Sequence, residues 1–237
     1  MNAITANLTA IWTSSIGKKI IVALTGLYLV VFLAGHLAGN LLVFAGRDAF
    51  NDYAYFLHHM LHGAGIWIFR IVMIVAVVLH VAATVSLAVK NRAARQPHEC
   101  KKFVKASASS RMMVVSGLTI LVFLIYHIMH FTIRVGNTYD TYVDPVHLAE
   151  TGDARHDAWK MTIDGFSNGP VTLFYLIAMS LLCSHLSHGV GAMFQTLGLR
   201  FKKSQGFIDG ISHGYAWLIW AGFVSVPVAV YFGYVTV

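Results

Sequence analysis

Charge is scarce in this chain. Of 237 residues only 11% are Asp, Glu, Lys or Arg, whereas 57% are hydrophobic. Soluble domains carry about 25% charged residues, so the composition points away from a soluble domain and towards a membrane protein. Cysteine is nearly missing too: Cys100 and Cys183 stand far apart and no Cys-x-x-Cys-His occurs. That leaves neither a disulfide framework, nor a cysteine cluster for iron–sulfur, nor covalent attachment of a c-type cofactor. There is no Gly-x-Gly-x-x-Gly fingerprint for a dinucleotide. The N-terminus, MNAITANLTAIWTSSIGKK, lacks the basic, apolar and small-residue order of a cleaved signal peptide, so the first apolar stretch is expected to be retained. Acidic residues are absent from the apolar stretches, which argues against a proton-coupled transporter built on a carboxylate relay.

What is present is apolar sequence in span-sized pieces. Runs of about 20 residues, enough to cross a bilayer, fall near 20–45, 66–89, 112–134, 170–199 and 211–236. The expected fold is an all-α polytopic membrane protein, one transmembrane domain of five helices in a bundle. The segment 136–168 reads as a polar external loop with a short surface helix around HLAETGDARHDAWK. The net charge of +7 would suggest nucleic acid in a soluble protein. Here its distribution matters more, and no nucleic-acid partner is expected. The connection between the second and third spans holds seven Lys or Arg; with Lys18, Lys19, Arg200, Lys202 and Lys203, twelve of seventeen basic residues share one side. Eight of the ten acids lie on the other. Basic residues mark the inner side of a membrane, so the N-terminus is expected in the cytoplasm and the C-terminus outside.

Each of four spans carries a histidine: His36, His80, His127 and His185, with His188 one turn beyond the last. An ionisable side chain in lipid is costly unless it has a partner. At 1.5 Å rise per residue, His36 lies roughly 25 Å from Lys19 and His127 roughly 24 Å from Arg111, placing both in the outer half. His80 is about 15 Å from Lys90 on the same scale, and His185 and His188 about 22 and 18 Å from Arg200. The histidines sort into an outer pair, His36 with His127, and an inner pair, His80 with His185 or His188. An ungapped internal repeat, GLYLVVFLAGH ending at His36 and GLTILVFLIYH ending at His127, puts the outer two at matching depths.

Two facing histidine pairs in a bundle are what two stacked bis-imidazole haems require. Such iron has no open coordination position, which suits electron transfer rather than oxygen chemistry. Gly26, Gly35, Gly39, Gly117, Gly189 and Gly191 would let a macrocycle or a neighbouring helix approach closely. The plainer alternatives are small residues that only pack helices and histidines that only hydrogen-bond between them. Zinc fits less well, because structural sites bring Cys or closely spaced His.

These residues resemble a known family, the five-helix, single-subunit di-haem cytochrome b anchors of succinate:menaquinone oxidoreductases and fumarate reductases. The resemblance covers nearly the whole chain. Thr25, Gly26, Leu27 and His36 match the span-one element; His80 followed by KNRAAR matches span two; Ser116, Gly117 and His127 match span three. His185, Gly189 and Gly198 within HLSHGVGAMFQTLG match the span-four element. That register selects His185 over His188, although depth slightly favours His188. It leaves His188 as a candidate contact for a haem propionate, together with Ser14, Ser15, Lys18, Lys19, Ser110 and Arg111.

The resemblance implies two b haems, a bacterial inner membrane, and partners on the cytoplasmic side: an FAD flavoprotein docked through an iron–sulfur subunit. Electrons would pass to the inner haem, to the outer haem and then to a quinone, menaquinone by family type. A homodimer of the complex fits such a chain but no motif requires it. Asp52, His58, His59 and His62 are candidates for the quinone and its protons, because quinone chemistry needs a proton donor near the membrane edge. Some fumarate reductases of this type use a glutamate in that region and another just before the span-four ligand. This chain has neither, and Cys183 stands two residues before His185, which leans towards succinate oxidation. Rival readings are a di-haem subunit of a hydrogenase or formate dehydrogenase, which resembles this chain less in span four, and a haem-free transporter or structural anchor.

Overall fold

The computed structural model describes residues 9–94 and 108–237. Among these residues the chain is helical, and strand pairing is limited to one isolated bridge between Val143 and His156. The main helices are α1 (Ser15–Leu41), α2 (Arg47–His59), α3 (Ala64–Ala93), α4 (Ala108–His127), α5 (Pro145–Thr151), α6 (Ala158–Ser167), α7 (Gly169–Thr196) and α8 (Gln205–Tyr231). Five helical segments are long and apolar enough to cross a membrane: Ser15–Ala45, Ala64–Ala93, Met112–Ile133, Gly169–Thr196 and Gln205–Tyr231. The protein is an all-α membrane bundle of five spans, as composition and span length imply.

Local chemistry sets the helix ends. Ser14 caps α1, its hydroxyl oxygen accepting from the Gly17 amide at 2.8 Å. Asn168 caps α7 through its side-chain oxygen and the Val171 amide at 3.2 Å, with a proline in the first turn. Helices continue past their apolar stretches because backbone hydrogen bonding does not stop where lipid contact does. Thus the fifth span starts at Gln205 rather than 211, and Asp209 falls inside α8, against the expectation that the spans hold no acid. Arg200 neutralises it with two contacts at 2.7 and 3.0 Å.

α7 is the axis of the bundle. It packs against α8, α4 and α1, while α3 leans on α1 alone among the spans, and α3 and α4 scarcely touch. The mid-bundle core joins Leu37 of α1, Ala178, Met179, Leu182 and Leu186 of α7, and Ala216 and Ile219 of α8. Tyr215 pins α8 to α1 by donating its hydroxyl proton to the Val30 carbonyl. Along α3 and α4 large apolar side chains such as Trp67, Ile71, Val78, Val114, Leu118 and Val122 stay exposed, which is tolerable only against lipid.

The segment 136–168 is not the simple polar loop expected from its composition. It folds into a 3₁₀ turn, α5 and α6, and α6 is almost wholly buried. Trp159, Ile163 and Phe166 pack with Val43, Tyr175, Val226 and Val230 at the acidic end of the bundle. The region after span one is likewise a helix, α2, rather than a loop. A polar knot joins α2 to α5 and α6. Asp144 and Asp157 are the N-caps of α5 and α6, and both are fully buried. The buried Asn51 amide donates to Asp144 at 2.9 Å and to Asp157 at 3.0 Å, and its oxygen accepts from the Trp159 backbone at 2.9 Å. Arg155 closes the knot on Asp144 at 2.8 Å and reaches Asp52 as well. Polar side chains hidden from the composition-level reading by their low number thus hold the 136–168 segment down.

Two outcomes follow from the knot. Arg155→Ala leaves the buried Asp144 carboxylate without its cationic partner, held only by Asn51 and backbone amides, and removing one partner of such a pair costs roughly 3 kcal/mol; thermal unfolding of the purified protein should show a clear drop in Tm. Burial alone would raise the Asp144 carboxyl, but hydrogen bonds from Asn51, Arg155 and the His147 amide outweigh it and hold it below the usual 3.8. A depressed carboxyl stabilises the fold above its unfolded value, and that contribution is lost as pH falls through the folded value. Protection of α2 and α5 against hydrogen exchange, taken relative to the intrinsic rate at each pH, should therefore hold down to about pH 4 and fall below that, at higher pH in Arg155→Ala.

Candidate functional site

His80 on α3 and His185 on α7 are built alike. His80 Nδ1 lies 3.1 Å from the Thr25 hydroxyl of α1, and His185 Nδ1 lies 3.2 Å from the Ser116 hydroxyl of α4. Each hydroxyl already donates its single proton to its own helix: Thr25 to the Ile21 carbonyl at 2.7 Å, Ser116 to the Met112 carbonyl at 2.9 Å. A hydroxyl whose proton is committed can only accept. With the hydroxyl protons assigned to those carbonyls, each imidazole carries its proton on Nδ1 and keeps a lone pair on Nε2. The residue after each hydroxyl is a glycine, and a Cβ on Gly26 or Gly117 would stand 3.5 Å from Cε1 of His80 or His185. Anything larger than a methyl would push the ring. Thr25 and Ser116, each just before the opening glycine of the internal repeat and eleven residues before the histidine that ends it, thus serve the histidine of a neighbouring helix.

His36 of α1 and His127 of α4 meet across the bundle with ring centroids 5.8 Å apart, nearly edge to face. Phe32 stacks on His36 at 5.2 Å and Phe123 on His127 at 5.7 Å. Since α1 packs on α3 and α7, and α4 on α7, this pair joins helices that are not neighbours. His185 has His80 and His188 within electrostatic reach, and His188 feels the charge of Arg200. The two pairs therefore cross the same four helices on opposite diagonals.

The residues present fit a flat cofactor bound through two imidazoles at each level. All four histidine side chains remain partly accessible rather than packed shut, as expected of groups that line a space. No atom lies within 4 Å of where a Cβ on Gly189 would stand, one turn beyond His185. At the basic end Arg200 is already paired with Asp209, whereas the buried Lys18 ammonium is met by Ser86 at 2.6 Å rather than by a carboxylate. An ammonium without a carboxylate partner suits one. Among the described residues no group of three or more His, Cys, Asp or Glu could hold a free metal ion, which counts against a zinc site but not against iron already held by a macrocycle.

The other sequence candidates separate. Ser14 is a helix cap, Ser15 opens α1 and Lys19 is exposed. Ser110 and Arg111 belong to α4, but their side chains, like Cys100, lie outside the described residues. Asp52 is engaged by Arg155. His58 bonds the Ala54 carbonyl at 2.8 Å, and His59 stacks on Tyr55 at 3.7 Å. His62 sits in the turn after α2, where Leu61, His62 and Gly63 all have positive φ. Among the described residues no hydrogen bond or ring contact links this cluster to His36 or His127. Beside the turn, a cleft of about 260 Å³ opens between α1 and α3, lined by Tyr28, Met60, Leu61, Gly65, Ile68, Phe69 and Val72.

Tyr175 escaped the sequence reading. Its hydroxyl lies 3.2 Å from Nδ1 of both His127 and His130, and Tyr139 reaches His130 Nε2 at 3.4 Å. A π-turn, Ile128–Ile133, follows His127 and carries His130; such turns concentrate at functional sites. A tyrosine among the many aromatics of a membrane helix gives no sequence signal of this kind.

Fold and site together define a class: a five-span membrane bundle with two diagonal histidine pairs at different depths. Comparison with protein-family models, with curated proteins and with solved structures returns no match.

Proposed function

We propose that this chain is a membrane-embedded electron carrier that holds two b haems, His36 and His127 at one level and His80 and His185 at the other. The observation that carries the reading is the matched bracing of His80 and His185, each with Nδ1 on a hydroxyl of a neighbouring helix, which directs Nε2 away from that hydroxyl. An imidazole used only as a helix–helix hydrogen bond has no need of a second, accessible nitrogen. Bound b haem supplies a one-electron couple that neither releases protons into the bundle nor binds oxygen. The chain contributes the rest: Thr25 and Ser116 orient the inner ligands, Phe32 and Phe123 fix the outer rings, and the apolar spans exclude water.

On the sequence elements described above, the carrier serves as the anchor subunit of a succinate:quinone oxidoreductase. An iron–sulfur partner docks on the basic end, taken as cytoplasmic from the charge asymmetry, and a quinone reacts near the acidic end. Lys18, His188 and Arg200 line the basic end as contacts for propionates. The exposure of Asp52, His58, His59 and His62, and their lack of contact with the outer pair, weakens their case as the quinone's immediate partners.

Purified protein should show low-spin b-type bands in the dithionite-reduced minus oxidised spectrum, at two haems per chain. A folded but colourless protein would sink the reading. His185→Ala should lose one haem and His188→Ala should keep both; the opposite result would exchange their roles. Copurification with a flavoprotein, followed by assay with succinate, formate and hydrogen, separates the three dehydrogenase classes.

A further inference from the structure

The two levels differ in what stands behind their ligands. Thr25 and Ser116 are aliphatic hydroxyls whose protons end on backbone carbonyls, so nothing lies beyond them. Tyr175 is different. It sits 5% exposed, ringed by Phe123, Tyr126, Phe131 and Phe166, with its hydroxyl between two imidazoles. If His127 binds iron through Nε2, its Nδ1–H must donate to the Tyr175 oxygen. The phenol proton then has one acceptor left, His130 Nδ1, and His130 turns its Nε2–H to the Tyr139 hydroxyl. Every donor direction in the chain is set by the first.

We propose that Tyr175 is a positioning residue for His127, and that the chain Tyr175, His130, Tyr139 sets how strongly His127 donates to its iron. The proposal rests on the di-haem reading. A hydrogen bond accepted from the far nitrogen of a ligand imidazole raises the basicity of the ligand, and a more basic ligand favours ferric iron and lowers the potential. Donation of the phenol proton to His130 makes the phenol oxygen a better acceptor, because linked hydrogen bonds polarise one another. The outer iron is thereby tuned through a route open to the acidic end of the bundle, while the inner iron is tuned through hydroxyls that lead nowhere. Two chemically similar sites acquire separate potentials without any change of ligand type.

The test is a redox titration of the intact complex in detergent, followed optically and by low-temperature EPR. Tyr175→Phe keeps the aromatic packing and removes only the acceptor; it should retain both haems, raise one midpoint and shift the low-spin signal of that haem alone. Ser116→Ala should raise the other midpoint. Should Tyr175→Phe shed a haem, His130→Phe leaves the acceptor in place but unties it, and should move the same midpoint upward by less. Unchanged midpoints in a variant that keeps both haems, or movement of one and the same midpoint by Tyr175→Phe and Ser116→Ala, overturns the proposal. Absence of haem from the unaltered protein instead overturns the reading on which it rests.

Discussion

A neutral imidazole carries one N–H and one lone pair, and in a low-dielectric bundle each is costly to leave unmet. That constraint organises this protein at every level. It explains why a threonine and a serine sit beside His80 and His185, and why those hydroxyls must be on a helix whose i−4 carbonyl takes their own proton. A small residue must follow each of them, since a side chain longer than a methyl there would push the imidazole away from the hydroxyl. The unmet nitrogen that remains is the chemical content of the site.

The bundle geometry serves the same end. A tight five-helix packing would have closed the interior, but here α7 and α8 form the packed half and α3 and α4 stand apart. Leu37, Met179, Leu182 and Ile219 supply a conventional apolar core on one side. On the other side His36 and His127 meet with ring centroids 5.8 Å apart, backed by Phe32 and Phe123. At the acidic end, burial of Asp144, Asp157 and Asn51 ties α2 to α5 and α6 and seats Trp159 and Phe166 beneath Tyr175. The aromatic cage around Tyr175 and His127 therefore depends on a polar knot built by residues far away in sequence.

Much of this was legible from the residues. Five spans followed from apolar run length, and the pairing of His36 with His127 followed from the repeat, because a helix converts register into depth at a constant rise. The span ends were less legible, as Asp209 shows: a helix can extend into a polar border that hydropathy averages discard. α6 was the clearest miss. Its charged flanks lowered the mean hydropathy of 136–168, while the pattern of Trp159, Ile163 and Phe166 marked a buried face that only a three-dimensional partner makes meaningful. The surroundings of Asp52 and His58 were not legible either: α2 places Asp52 against Arg155 and His58 against the Ala54 carbonyl.

Composition and spacing by themselves determined the class of fold and the number of spans, because these depend on local periodicity and on the thickness of a bilayer. The tertiary structure alone decided which nitrogen of His80 and His185 is free, which hydroxyl serves which ring, and that Tyr175 joins His127 to His130. Those are choices between partners 45 to 69 residues apart in sequence. A proton's position on an imidazole is set by the group that faces it, and no order of residues along one helix states which group that is.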